Sequence, residues 1–262
     1  MNILKKIINL LFNNKSKNED THNIVVNNIV GSDIIINGNK VSANNKKMES
    51  SLHKLELKTF KQLKNNTVFK VLVLANNNEK QNIIEYTMPE EIAEKISFNN
   101  KNNKLSIETN GNISGCFESS IVIYTDLNII EKIINTSVGG INVNGDINNI
   151  KMELSSSSTG GISLNSLICG DLEINNSGTG KIKIKDGKVN KSNFEITSTG
   201  NVEVKNLVIV DATIKSSSVG SLECRILNKI EGKLTSVGSA FIFGKPKNVL
   251  IESTSIGKVK FK

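Results

Sequence analysis

From residue 139 to the end of the chain, apolar and polar residues alternate in short runs that return at a fixed interval. The second and fourth residues after each of seven glycines are Ile141/Val143, Ile162/Leu164, Ile182/Ile184, Val202/Val204, Leu222/Cys224, Ala240/Ile242 and Val259/Phe261. The first and third are polar or glycine in every case but Phe241. Such alternation predicts a strand with one buried face. A second apolar pair lies upstream of the next glycine in most units: Met152/Leu154, Leu172/Ile174, Phe194/Ile196, Ala212/Ile214 and Val249/Ile251. A less regular third position falls between them at Leu167, Val189, Leu207 and Leu227. Each unit therefore predicts two or three short strands joined by bends.

The glycines close a recurring motif of hydroxyl, Ser, β-branched residue and Gly. It reads Thr136-Ser137-Val138-Gly139, Ser157-Ser158-Thr159-Gly160, Ser177-Gly178-Thr179-Gly180, Thr197-Ser198-Thr199-Gly200, Ser217-Ser218-Val219-Gly220, Thr235-Ser236-Val237-Gly238 and Thr254-Ser255-Ile256-Gly257. The glycines are spaced 21, 20, 20, 20, 18 and 19 residues apart. A unit of this length cannot bury its own apolar face, but coils stacked ~4.8 Å apart share one core and pair their backbones. The fold predicted is all-β: a single-chain parallel β-helix, or solenoid, with coils of about 20 residues. Glycine suits the bends either because φ is positive there or because stacked backbones crowd. Both prolines, Pro89 and Pro246, fall outside the repeat strands, where they remove no ladder donor.

Stacking aligns Thr136, Ser157, Ser177, Thr197, Ser217, Thr235 and Thr254 into a column along one edge. Two readings are open. The hydroxyls satisfy backbone groups at the bend and bond from coil to coil, or they form a regular surface for a glycan or another repetitive ligand.

Upstream, residues 66–138 lack the glycine period but continue in strands around Val68 to Leu74, Asn82 to Thr87, Lys104 to Ile107, Ser120 to Tyr124 and Asn128 to Ile134. Met88-Pro89-Glu90-Glu91-Ile92-Ala93-Glu94-Lys95-Ile96 opens with Pro and acids and spaces Ile92 and Ile96 four apart, which predicts a short helix or turn. This order continues with Asn103-Lys104-Leu105-Ser106-Ile107. It then runs through Ile121-Val122-Ile123-Tyr124-Thr125-Asp126-Leu127-Asn128-Ile129-Ile130 into Thr136-Ser137-Val138-Gly139-Gly140-Ile141-Asn142-Val143. In this order the chain resembles the head GIN domain family, also called putative auto-transporter adhesins. The likeness covers roughly residues 66–262, and residues 29–41 are similar to a stretch that often precedes the domain. It implies a β-helical domain with an adhesion label and carries over no active-site residues.

Members of that family commonly begin with a secretory or lipoprotein leader. Here the apolar run of residues 1–12 is broken by Lys5, Lys6 and Asn9 and followed by polar residues, a poor signal peptide. The localisation expected from this leans to the cytoplasm or membrane periphery over export. Ile3, Leu4, Ile7, Ile8 and Leu11 fall on one face at helical spacing beside Lys5 and Lys6, which predicts a short amphipathic helix. Such a helix caps the first coil, rests on an anionic membrane or is a degenerate export signal. The divisions expected are 1–22, helix and polar linker; 23–65, short strands and loop; and 66–262, the β-helix, with regular repeats over 136–262. At the other end Val259 and Phe261 are placed to face inward with no helix after them, so the solenoid end is expected either to be covered by an upstream segment or to join a second copy.

Charge and composition narrow the function further. The formal charge is +8, but it is Lys with a single Arg, Arg225, spread over both ends, and there is no Trp. Nucleic-acid binding, which favours Arg and stacking aromatics, is not expected. No stretch reaches the ~18 apolar residues of a spanning helix. Cys116, Cys169 and Cys224 are too few for a disulfide framework, and His22 and His53 offer little for a metal site or triad. No cofactor or metal is expected. Cys169 and Cys224 read as core or corner fillers, and Gly139-Gly140 and Gly160-Gly161 as corner glycines without phosphate-loop spacing. Glu203 and Glu223 share an outward position in adjacent coils, near the ~5–5.5 Å carboxyl separation of a retaining glycosidase. An exposed charge column with Lys183 is the simpler account. The functional expectation is a non-enzymatic binding or structural module, with a self-associating cytoplasmic scaffold as the alternative and a glycosidase using Glu203 and Glu223 as a third.

Overall fold

The computed structural model describes residues 34–36, 39–41, 48–115, 117–217, 219–235, 238–254 and 259–262. The expected amphipathic segment Ile3, Leu4, Lys5, Lys6, Ile7, Ile8 and Leu11 lies outside them. The chain divides into two units, Met1–Lys46 and Lys47–Lys262. In the first, β1 (Ile34–Ile36) and β2 (Asn39–Val41) pair antiparallel.

The second unit is the parallel solenoid, of about six turns. Its regular part is built from β10 (Lys132–Asn135), β11 (Ile141–Ser156), β12 (Ile162–Asn176), β13 (Ile182–Ile196), β14 (Val202–Ser216), β15 (Leu222–Leu234), β16 (Ala240–Phe243), β17 (Asn248–Ser253) and β18 (Val259–Phe261). The five long strands β11 to β15 run through the bends, and each pairs with the next. The pairing places Ile141 beside Ile162, Ile162 beside Ile182, Ile182 beside Val202, Val202 beside Leu222, Leu222 beside Ala240 and Ala240 beside Val259. These offsets repeat the glycine spacings, so period and register are the same quantity.

Inward positions of one coil show what holds the stack. Ile162, Leu164, Leu167, Leu172 and Ile174 are all 2% exposed or less. Fully burying such a side chain contributes about 1.5–3 kcal/mol, and the coils of β11 to β15 repeat these inward positions. Leu227 departs from its expected inward position. Between β14 and β15 the register jumps from Val204–Cys224 to Val208–Arg225, so Ile226 faces the core and Leu227 is 45% exposed. A slip of one residue exchanges the two faces of a strand.

The corner glycines resolve a second alternative. Gly139, Gly160, Gly180, Gly200 and Gly220 are not among the left-handed glycines of the chain. Crowding is their reason: an added Cβ on each would collide with backbone of the coil beneath.

The first coils are not laid down in chain order. β4 (Gln62–Asn66) lies between β8 (Lys104–Thr109) and β10, and β5 (Val71–Ala75) lies between β9 (Ser120–Thr125) and β11. Residues 62–75 are thus inserted between two coils that follow them in sequence. Where a strand was expected over Asn128 to Ile134, Leu127–Ile129 forms a 3-10 turn with Asp126 as its cap, and β10 begins only at Lys132. Antiparallel strands β3 (Ser51–Glu56), β6 (Ile83–Met88) and β7 (Ile96–Lys101), with the short helix α1 (Glu90–Ala93), close this end. Met88 and Ile92 are buried there.

Candidate functional site

The hydroxyl edge is stitched by backbone rather than by its hydroxyls. The N–H of Thr136, Ser157, Ser177, Thr197, Ser217, Thr235 and Thr254 each donates to a carbonyl of the preceding coil, at 2.9–3.1 Å. Six of the seven side chains are exposed, and Thr136 is half-buried. Thr136 Oγ1 donates to Asn66 Oδ1 at 3.1 Å, and Thr235 Oγ1 to the Ser216 carbonyl at 3.5 Å. Among the described residues the hydroxyls of Ser157, Ser177, Thr197 and Ser217 make no hydrogen bond.

In three coils the bend is satisfied from inside instead, by the side chains of Asn65, Ser156 and Asn176. Asn65, Asn135, Ser156, Asn176, Ile196, Ser216 and Leu234 occupy one register column. Asn65 Nδ2 donates to the carbonyls of Phe69 and Gly139, both at 3.1 Å, while its Oδ1 accepts from Thr67. Ser156 Oγ donates to the Gly160 carbonyl at 3.1 Å and Asn176 Nδ2 to that of Gly180 at 3.0 Å. The polar residue four before glycine is the signal in the sequence for this inner column.

Two depressions lie on the adjoining side. The smaller, about 290 Å³, is lined by Glu195, Thr197, Lys215, Ser216, Ser217, Lys233 and Thr235. It includes three of the seven edge hydroxyls. The larger, about 580 Å³, is a groove whose lining includes Gln62, Glu131, Lys132, Lys151, Glu153, Asp171, Glu173, Lys191, Asn193 and Thr213. Lys151, Asp171 and Lys191 of its lining continue beyond it into Asp211 and Lys229, successive register neighbours with strictly alternating charge. Nothing in the hydropathy pattern marks this column, but the opposite signs recur at the repeat period. Glu131 extends it, taking Lys61 at 2.7 Å and Lys151 at 3.2 Å, and these two lysines hold its carboxyl below the usual range. Asp171 and Lys191, at the middle of the groove, form no ion pair among the described residues.

Glu203 and Glu223 are register neighbours, as expected. Glu203, however, is engaged by Lys181 and, at 3.8 Å, by Lys183. That is an ion-paired column rather than two carboxyls forced together. Cys169 and Cys224 are buried free thiols; burial pushes the first up to about 12 and the second higher still. His53 stacks on Tyr86 at 4.8 Å. Among the described residues no group of three His, Cys, Asp or Glu is placed to hold a metal ion, and no helix is long and apolar enough to cross a membrane.

Several proteins share this architecture. A crystal structure of a putative adhesin from Bacteroides fragilis is 20% identical, with a TM-score of 0.74 over 82% of this chain and 97% of that one. A putative adhesin from Parabacteroides distasonis is 14% identical, TM-score 0.61, over 82% and 98%. A putative lipid binding protein from the same species is 13% identical, TM-score 0.63, over 81% and 94%. At these identities the likeness is one of fold. No curated protein matches the chain in sequence. The family model described as "Putative auto-transporter adhesin, head GIN domain" matches residues 59–246, which take in β4, the inserted coil and the stack through β16. On fold, repeat and sequence together, the chain belongs to the head GIN domain family.

Proposed function

We propose that this chain is a non-enzymatic binding module, acting at the cell surface, that takes an extended polar glycan across successive coils. The observation that carries it is the depression in which Thr197, Ser217 and Thr235 stand in line beside Lys215, Lys233 and Glu195. Among the described residues the hydroxyls of Thr197 and Ser217 are exposed and unengaged, and the coil spacing of ~4.8 Å repeats the same donors and acceptors along the edge. The neighbouring groove adds alternating carboxylate and ammonium groups in the same direction. Family membership supports adhesion and a location outside the cell, away from the cytoplasm towards which residues 1–12 point.

A glycan array probed with the purified chain tests this. Binding to a subset of glycans is expected, with at least a tenfold loss in a Thr197→Val, Ser217→Ala, Thr235→Val variant and no change in the glycan recovered. Binding that is indifferent to these three substitutions would remove the edge from the site, and a shortened glycan would restore the enzyme reading.

A further inference from the structure

At the middle of the larger groove, adjacent coils present two different stations. β12 supplies Asp171 and Glu173, two exposed carboxylates that flank the buried Leu172. β13 supplies Lys191 and Asn193, an ammonium and an amide that flank the buried Ser192. The register sets Asp171 beside Lys191 and Glu173 beside Asn193, one coil spacing of ~4.8 Å apart. Among the described residues, neither Asp171 nor Lys191 joins an ion pair and the Asn193 amide makes no hydrogen bond. Glu173 accepts only from the Asn175 amide, at 2.9 Å. The charges around them are already engaged: Lys151 with Glu131 at 3.2 Å, Lys132 with Glu153 at 2.6 Å and Asp211 with the Asn228 amide at 2.7 Å. The groove thus holds a carboxylate station and an ammonium station, side by side and without partners of their own.

We propose, resting on the glycan-binding reading, that this groove selects a zwitterionic glycan, in which a sugar with a free amino group adjoins one with a carboxylate. The sugar ammonium donates to Asp171 and Glu173, and the sugar carboxylate accepts from Lys191 and Asn193. One ring of an extended chain spans about one coil spacing, ~4.8 Å, so neighbouring rings meet neighbouring stations. Charge order disfavours uniform polymers. A polyanion that reaches Lys191 is repelled by Asp171 and Glu173, and a polycation that reaches those two is repelled by Lys191. A peptide has no strand edge to join here. β12 pairs with β11 and β13, and β13 with β12 and β14, so side chains alone are left to recognise a ligand.

The experiment is calorimetric titration of the full chain with heparosan oligosaccharides of one length, in which glucuronate alternates with N-acetylglucosamine, before and after N-deacetylation. Chitosan oligosaccharide serves as the chain with ammonium groups alone. The deacetylated heparosan is expected to bind about tenfold more tightly than either of the others, and to weaken as salt is raised. Asp171→Lys combined with Lys191→Asp keeps the net charge but mixes both stations, and is expected to lower that binding about tenfold. Both positions are exposed, and thermal melting of the variant monitors the fold. Equal binding of acetylated heparosan or chitosan overturns the proposal, as does binding that survives the exchange. Binding of an uncharged glycan that is lost in the Thr197→Val, Ser217→Ala, Thr235→Val variant and kept in the exchange variant leaves the glycan reading standing and overturns this one alone. A chain that binds no glycan at all defeats both. An alternating Lys-Glu peptide that binds more tightly than deacetylated heparosan gives the groove to a protein partner and overturns the sugar.

Discussion

A Cβ placed on Gly160 would stand 2.5 Å from the carbonyl oxygen of Gly139 and equally close to that of Ser137. Both are backbone atoms held by the ladder, so neither can turn aside. Gly160→Ala is expected to cost about 3 kcal/mol, at the upper end for overpacking a core. Urea denaturation should show it. Gly111, with no atom within 4 Å of an added Cβ, has no such steric cost, and its φ of +91° makes strain its sole objection to alanine.

Asn65 and Asn135 are register neighbours, both fully buried, with opposite accounts. Asn65 uses both amide atoms, whereas Nδ2 and Oδ1 of Asn135 find no partner among the described residues. Asn65→Leu should therefore destabilise by about 3 kcal/mol. Asn135→Leu is expected to stabilise by about 1–2 kcal/mol, in a column that already accepts Ile196 and Leu234. Equal losses from the two substitutions would refute this division.

Burial of Cys169 and Cys224 links stability to alkaline pH. Both thiols titrate higher when folded than the ordinary value of 9.0. The folded state therefore keeps protons that the unfolded chain releases, and stability present below pH about 9 falls as pH rises from there towards about 12. The slope approaches 1.4 kcal/mol per pH unit for each thiol, as an order of magnitude. A Cys169→Val, Cys224→Val variant should lose this component, read as the difference between the two denaturation profiles.

Glu203→Gln tests the ion-paired reading. With Lys181 and Lys183 as its partners at a partly exposed site, the substitution should cost under about 1 kcal/mol. No glycan-cleaving activity should be present to lose. Reducing-end release by the wild-type chain that disappears in this variant would reverse the assignment.

Much of the stack is legible in the chain because identical positions of a parallel solenoid lie directly above one another. The glycine spacing therefore states the register, and the alternation around Ile162, Leu164, Ile182 and Ile184 states which side chains are inside. Pro89 before Glu90–Ala93 is legible for the same kind of reason: its effect is local.

What the pattern leaves open is set by neighbours distant in sequence. Alternation tells β4 and β5 which face to bury but not which strands to join, and their insertion between β8/β9 and β10/β11 is decided by pairing across the whole unit. Leu227 faces out because the pairing of β15 with β14 shifts register on either side of Ile226, which depends on both strands. The alternating charges from Lys151 to Lys229 become one column only when the coils stack, and the same stacking makes glycine obligatory at residue 160 without any unusual φ. Sequence alone determines period, register and the inward face, since these are properties of a single coil repeated. Only the tertiary structure decides the order of the first coils, how each end is closed, and which exposed groups share an edge, since each of these depends on what one coil meets in another.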